Sequence, residues 1–177
     1  MSQIAGFDAA PASELRPRLL ALTGSPLWAD RLLDERPYGD LEHLLDASDR
    51  IIRSLPADQV DAALAGHPRI GERAGGLDPE AAARSAREQA GMSGADAETA
   101  SAMAEGNADY EARFGRIYLV AAAGRSAAEL LALLRERLGH DPETELDVVR
   151  GELARITRLR LADDVGTSEQ DGQVASS

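Results

Sequence analysis

Apolar residues recur at steps of three and four along most of the chain, the period of a helix with one buried face. Ser13 reads as the cap of a first helix running to about Leu22, with Gly24 at the stop position. Ser25-Pro26 opens a short helix through Leu32 and Leu33, closed at Arg36-Pro37. From Asp40, the positions Leu41, Leu44, Leu45, Ile51, Ile52 and Leu55 keep the period, and a further short helix after Pro56 carries Val60 and Leu64 and ends at Gly66. Residues 67–77 hold glycines and a proline without any apolar period and read as a loop. Asp78-Pro79-Glu80 opens a helix to about Ala90, and a longer one follows from about Ala95 to Phe114, with Gly106 as the place for a bend. Ile117 to Ala123 is the single β-like run; short and isolated, it reads as a buried connection. Ser126 and Glu129 form a capping box ahead of a leucine-rich helix, and Asp141-Pro142-Glu143 opens the last one, striped by Leu146, Val149, Leu153 and Ile156. The expectation is an all-α, single-domain bundle of about eight helices over residues 1–162, with residues 163–177 a disordered acidic and polar tail.

Composition sharpens this. Aromatic residues make up only 3% of the 177, so the core must come from Leu, Ala, Val and Ile. The formal charge of −12 argues against a nucleic-acid partner. No run approaches the ~20 apolar residues of a membrane span, and the N-terminus lacks the pattern of a secretory signal, so the expected location is the cytoplasm. All 19 basic residues are arginine, which removes Schiff-base chemistry, a pyridoxal anchor and the lysine of a phosphate-binding loop. The absence of cysteine removes thiolate catalysis, disulfides and Cys-type zinc sites. Any catalysis must rest on histidine, carboxylates, arginine, hydroxyls and backbone groups.

Three places carry candidate chemistry. His67 follows a helix-ending glycine and precedes Pro68, which bars it from helical geometry and fixes its ring on an extended segment. His43 and His140 read as ordinary helix and helix-end residues. Ser85, Glu88 and Gln89 share one face of their helix and put a hydroxyl, a carboxylate and an amide together, either as a grip on a polar ring or as a solvated face. Arg160 is the next member of the stripe 146, 149, 153, 156, while Arg155 and Arg158 fall outside it as surface residues. A guanidinium on a buried face needs a polar or anionic partner, whether a group of the protein or the carboxylate or ureide of a substrate.

Gly66-His67-Pro68-Arg69-Ile70-Gly71-Glu72, followed by Ser85-x-x-Glu88-Gln89-x-Gly91, resembles the 2-oxo-4-hydroxy-4-carboxy-5-ureidoimidazoline (OHCU) decarboxylases. Gly24-Ser25-Pro26-Leu27-Trp28, the stretch from Asn107 through Tyr110 and Arg113-Phe114-Gly115, Gly124-Arg125-Ser126, and Glu152 through Ile156 to Arg160-Leu161 extend the resemblance in order over about residues 5–162. It departs at Thr23, where many relatives have cysteine, and at Arg116-Ile117-Tyr118, which is less apolar than the usual version. The resemblance implies an all-α fold, commonly homodimeric, with no metal or organic cofactor, that removes CO2 from OHCU to give (S)-allantoin after urate oxidation and hydroxyisourate hydrolysis. It also implies that His67 and Glu88 are the catalytic pair and that Pro68, Ser85, Gln89 and Arg160 hold the substrate, together with the backbone of Leu119, Val120 and Ala121. Cofactor-free decarboxylation suits a chain without lysine or cysteine, because the substrate's own conjugated ring can hold the electron pair that CO2 leaves behind.

Two other classes compete. Metal-assisted hydrolysis of a cyclic ureide would use His67 with carboxylates, although no His-x-x-x-His or equivalent ligand spacing occurs. A catalytically silent helical module that binds partners through an exposed apolar face would pair Arg160 with a protein carboxylate, with no pocket joining it to His67 and Glu88.

Overall fold

The helical periodicity is realised as nine α-helices among the described residues: α1 (Gln3–Ala9), α2 (Ala12–Thr23), α3 (Pro26–Asp34), α4 (Leu41–Arg53), α5 (Ala57–Leu64), α6 (Pro79–Glu88), α7 (Ala97–Phe114), α8 (Ala127–Arg137) and α9 (Pro142–Val174). The computed structural model describes residues 3–71 and 79–174. The loop expected at residues 67–77 is therefore seen as far as Gly71, and the remainder, with the Asp78 cap, lies outside the described residues. The chain is all-α, and its contacts divide it into two compact units, Met1–Ala63 with Leu153–Ser177, and Leu64–Glu152. No helix among the described residues is long and apolar enough to cross a membrane.

Several boundaries differ from the expected ones, each for a local reason. Ile4 and Phe7 of α1, three residues apart, are both buried and give the short helix an inner face. α2 begins at Ala12 behind Pro11, so Ser13 lies inside it rather than capping it. α7 runs unbroken through Gly106. A Cβ at that glycine would lie 2.5 Å from Leu134 Cδ2, so the missing side chain serves the close packing of α7 on α8 instead of a bend. α9 extends past Leu161 to Val174. Two contacts carry the helix beyond Leu161: Val165 is buried, and the Asp164 carboxylate accepts a 2.7 Å bond from Arg18.

In the first unit α2 packs on α3 and α3 on α4. Trp28 is fully buried, and its indole N–H donates to Ser48 Oγ at 3.0 Å, which satisfies the ring's one polar atom. Ser25 caps α3 by accepting from the Trp28 N–H, as its place before Pro26 predicts. Arg158, expected on the surface, is part-buried and binds Glu42, Asp46 and Asp49 of α4.

In the second unit the core gathers Ile70, Met103, Tyr110, Tyr118, Val120, Leu130 and Leu134. Each large side chain buried in this way contributes about 1.5–3 kcal/mol. Ser126 and Glu129 form the expected capping box, and the Glu129 carboxyl lies below its ordinary value because the Ser126 N–H and hydroxyl both bind it. Of the run Ile117 to Ala123, residues 117–122 form no helix, turn or bend, and Tyr118, Leu119, Val120 and Ala122 are buried, whereas Ala123 is exposed in a turn.

Candidate active site

The segment after α5 is held by its backbone. The His67 N–H donates to the Leu64 carbonyl at 2.9 Å, and Pro68 then prevents the helix from continuing. His67 is half-buried, and its Nε2 is shielded from solvent. Ile70, 5% exposed, anchors the segment in the core, while its carbonyl accepts from Asn107 Nδ2 at 3.0 Å. Arg69 binds the Glu111 carboxylate, which holds that carboxyl below its ordinary value.

The end of α6 grips the same segment. Ser85 is buried, and Glu88 and Gln89 are half-buried on the shared face expected of them. Gln89 Oε1 accepts from the Gly71 N–H at 3.0 Å, and its Nε2 donates to the Arg69 carbonyl at 3.4 Å. One side-chain amide thus ties the segment carrying His67 to the helix end carrying Ser85 and Glu88. Just beyond it, Gly91 sits in a 3-10 turn against Arg125. A Cβ there would fall 1.9 Å from the Arg125 carbonyl oxygen, so backbone would have to move. Gly91→Ala is expected to cost about 1–3 kcal/mol, read as a midpoint about 2–12 °C lower in thermal denaturation.

Leu119 and Ala121 are fixed from behind. Arg137, 4% exposed, donates from Nη1 to the Leu119 carbonyl at 2.6 Å, and Glu152 Oε2 accepts from the Ala121 N–H at 2.7 Å. Arg137 pairs in turn with Glu145 at 2.6 Å; Glu145 is 1% exposed, also accepts from the Tyr110 hydroxyl, and meets His140 Nδ1 at 2.8 Å. Burial works against the Arg137 charge, but Glu145 and the two neighbouring tyrosines outweigh it and hold the guanidinium above its ordinary value. Burial pushes the Tyr118 hydroxyl up to about 12.

Residues 8–162 match the family model for OHCU decarboxylase. The chain belongs to the OHCU decarboxylase family. It is 31% identical over 152 residues to 2-oxo-4-hydroxy-4-carboxy-5-ureidoimidazoline decarboxylase of Mus musculus, covering 84% of each protein. The Amia calva protein of the same name is 32% identical, with 78% of this chain and 79% of that protein covered. The uric acid degradation bifunctional protein TTL of Arabidopsis thaliana is 30% identical, and the match spans 44% of that longer protein. The crystal structure of an OHCU decarboxylase in the presence of (S)-allantoin superposes with a TM-score of 0.71 at 25% identity, covering 84% of this chain and 97% of that one.

For this member of the OHCU decarboxylase family, the described residues tie His67, Pro68, Ser85, Glu88 and Gln89 to one another through the Gln89 amide and the Ile70 anchor. A cleft of about 310 Å3 lies beside them, lined by Ile70, Gly71, Met92, Met103 and Asn107 with the Arg69–Glu111 pair; His67, Ser85 and Glu88 do not line it. Leu119, Val120 and Ala121 belong to the same unit. Arg160 belongs to the other unit, where it is half-buried and donates from Nη1 to the Leu22 carbonyl at 2.8 Å. A carbonyl of the protein is thus one polar partner of this guanidinium. Arg137 and Glu145 were not among the residues singled out from sequence, and Glu152 stood there only as the start of a family-like motif. A signal was present: 145, 149, 152 and 156 advance by four, three and four, which puts both carboxylates on the buried stripe of α9 with Val149 and Ile156.

Proposed function

We propose that this chain decarboxylates OHCU to (S)-allantoin in urate degradation, with His67 and Glu88 as its acid–base and orienting pair. The observation that carries the reading is the family match over residues 8–162, which includes the whole His67–Gln89 stretch. In the reaction the bond between the ring carbon and the carboxylate breaks, CO2 leaves, and the ring's conjugated system takes up the electron pair. The substrate hydroxyl gives up its proton and a ring carbon receives one, so the site must move protons at defined atoms. His67 on its clamped segment and Glu88 on the adjoining helix end supply those groups. Protonation from one face gives one enantiomer. Ser85, Gln89 and Pro68 line the place where the ring sits, Leu119, Val120 and Ala121 present the backbone to it, and Arg160 offsets its negative charge in an otherwise acidic protein. Homodimeric assembly, a cytoplasmic location and the absence of an organic cofactor belong to the same proposal and rest on the family resemblance and the composition.

The test generates OHCU in place from urate with urate oxidase and hydroxyisourate hydrolase, and follows allantoin by circular dichroism. The expected result is fast appearance of one enantiomer, undiminished by a chelator. A slow racemic background unchanged by the protein would reduce the relationship to one of fold. Loss of activity on chelation would turn the reading to metal-assisted chemistry.

A further inference from the structure

The backbone around Val120 is gripped in an uneven way. The groups taken by charged side chains are the carbonyl of Leu119, by Arg137, and the N–H of Ala121, by Glu152. In extended chain the N–H and C=O of one residue emerge on the same edge, and those of its two neighbours on the opposite edge. Residues 117–122 form no helix, turn or bend, and none of them has a positive φ. Where the chain is extended, gripping residues 119 and 121 from one edge leaves the N–H and C=O of Val120 on the other. No backbone hydrogen bond among the described residues uses either group.

The two grips also act through the peptide bonds they touch. The Leu119 carbonyl and the Val120 N–H belong to one peptide unit, so a guanidinium on that oxygen makes the N–H a stronger donor. The Val120 carbonyl and the Ala121 N–H belong to the next unit, so a carboxylate on that N–H makes the carbonyl a stronger acceptor. Both charged groups are buried: Arg137 is 4% exposed and Glu152 7%. Little water screens them, and Glu145 keeps the guanidinium compensated.

We infer that Arg137 and Glu152 are positioning residues that turn Val120 into a polarised donor–acceptor pair for the –NH–CO– edge of a ureide. The inference rests on the reading given under Proposed function, because it deepens how that substrate is recognised. A ureide offers the complement, an oxygen for the Val120 N–H and an N–H for the Val120 oxygen. An analogue lacking that edge would leave both buried groups unmet.

The decisive variant is Glu152→Gln. The glutamine oxygen still accepts from the Ala121 N–H, so the fold is kept while the charge is lost. Its expected effect is a rise of about three- to ten-fold in KM for OHCU and in Kd for (S)-allantoin, with a smaller change in kcat and in thermal midpoint. In protein labelled with [15N]valine, (S)-allantoin shifts the Val120 amide proton downfield, and Arg137→Lys shrinks that shift. Unchanged KM and Kd in Glu152→Gln overturn the inference, and so does a fall in kcat at constant KM, the mark of a merely structural role. Should Arg137→Lys fail to fold, Glu152→Gln decides alone. If the wild type neither turns over OHCU nor binds (S)-allantoin, the functional reading falls and takes this one with it. An active wild type beside an unaffected Glu152→Gln sinks this inference alone.

Discussion

His67→Ala is expected to lower kcat for OHCU by about 10²- to 10⁴-fold, the contribution of a positioned acid–base group. The size follows from how the residue is held. His67 stands on an irregular segment whose backbone is fixed by the Leu64 carbonyl before it and, after it, by Asn107 and both ends of the Gln89 amide. Those bonds run through the main chain of residues 67, 69, 70 and 71 and survive removal of the imidazole. The side chain itself is half-buried outside the apolar core, so truncation leaves no large cavity. Turnover should therefore fall while the thermal midpoint stays within a few degrees. Circular dichroism of allantoin formation reads the first and a melting curve the second. Near-normal turnover in His67→Ala would move the acid–base role to another residue, with Glu88→Gln the next to measure.

Arg137→Ala is expected to give the largest loss of stability, about 3–5 kcal/mol, because it strands a buried carboxylate. Glu145 is 1% exposed, and Arg137 meets it through both Nε at 2.8 Å and Nη2 at 2.6 Å. The same guanidinium lies 4.8 Å from the centre of the Tyr118 ring, so truncation also removes a cation–π contact and opens space in the core. Against a total of about 5–15 kcal/mol for a protein of this kind, such a loss is a large fraction. For a chain of this length the midpoint should fall by roughly 6–20 °C. The double variant Arg137→Ala with Glu145→Ala should lose less than the sum of the two single ones, since no unpaired carboxylate remains. Additive losses in urea denaturation would mean that the pair is not coupled.

The helices were readable because their signals are local. Ser25-Pro26, Asp40, Ser126 with Glu129, and Gly24 each act through a bond or a backbone angle within four residues, and each stands where the pattern puts it. The family motifs were equally visible, because contiguous residues such as His67-Pro68-Arg69-Ile70-Gly71 carry them. What was hidden depends on distant parts of the chain. The two bonds of Gln89 to backbone eighteen and twenty residues away have no local signal. The partners of Glu145 and Glu152, Arg137 and the Ala121 N–H, lie 8 and 31 residues away in sequence. The persistence of α9 past Leu161 likewise needed Arg18, 146 residues from Asp164 in sequence, to be visible. Periodicity tells which face of a helix turns inward; it does not say what meets that face.

The division of the chain also bears on its birth. The unit Leu64–Glu152 is continuous in sequence, whereas its companion joins Met1–Ala63 to Leu153–Ser177. On the ribosome the helices before residue 64 emerge ahead of residues 153–177, which their own unit needs to be complete. At ordinary elongation rates the intervening segment takes roughly 5–20 s to synthesise. The central unit can therefore close before the one that began ahead of it, and a nascent chain stalled late in translation would carry Trp28, Leu32 and Ile51 without the α9 residues of their own unit.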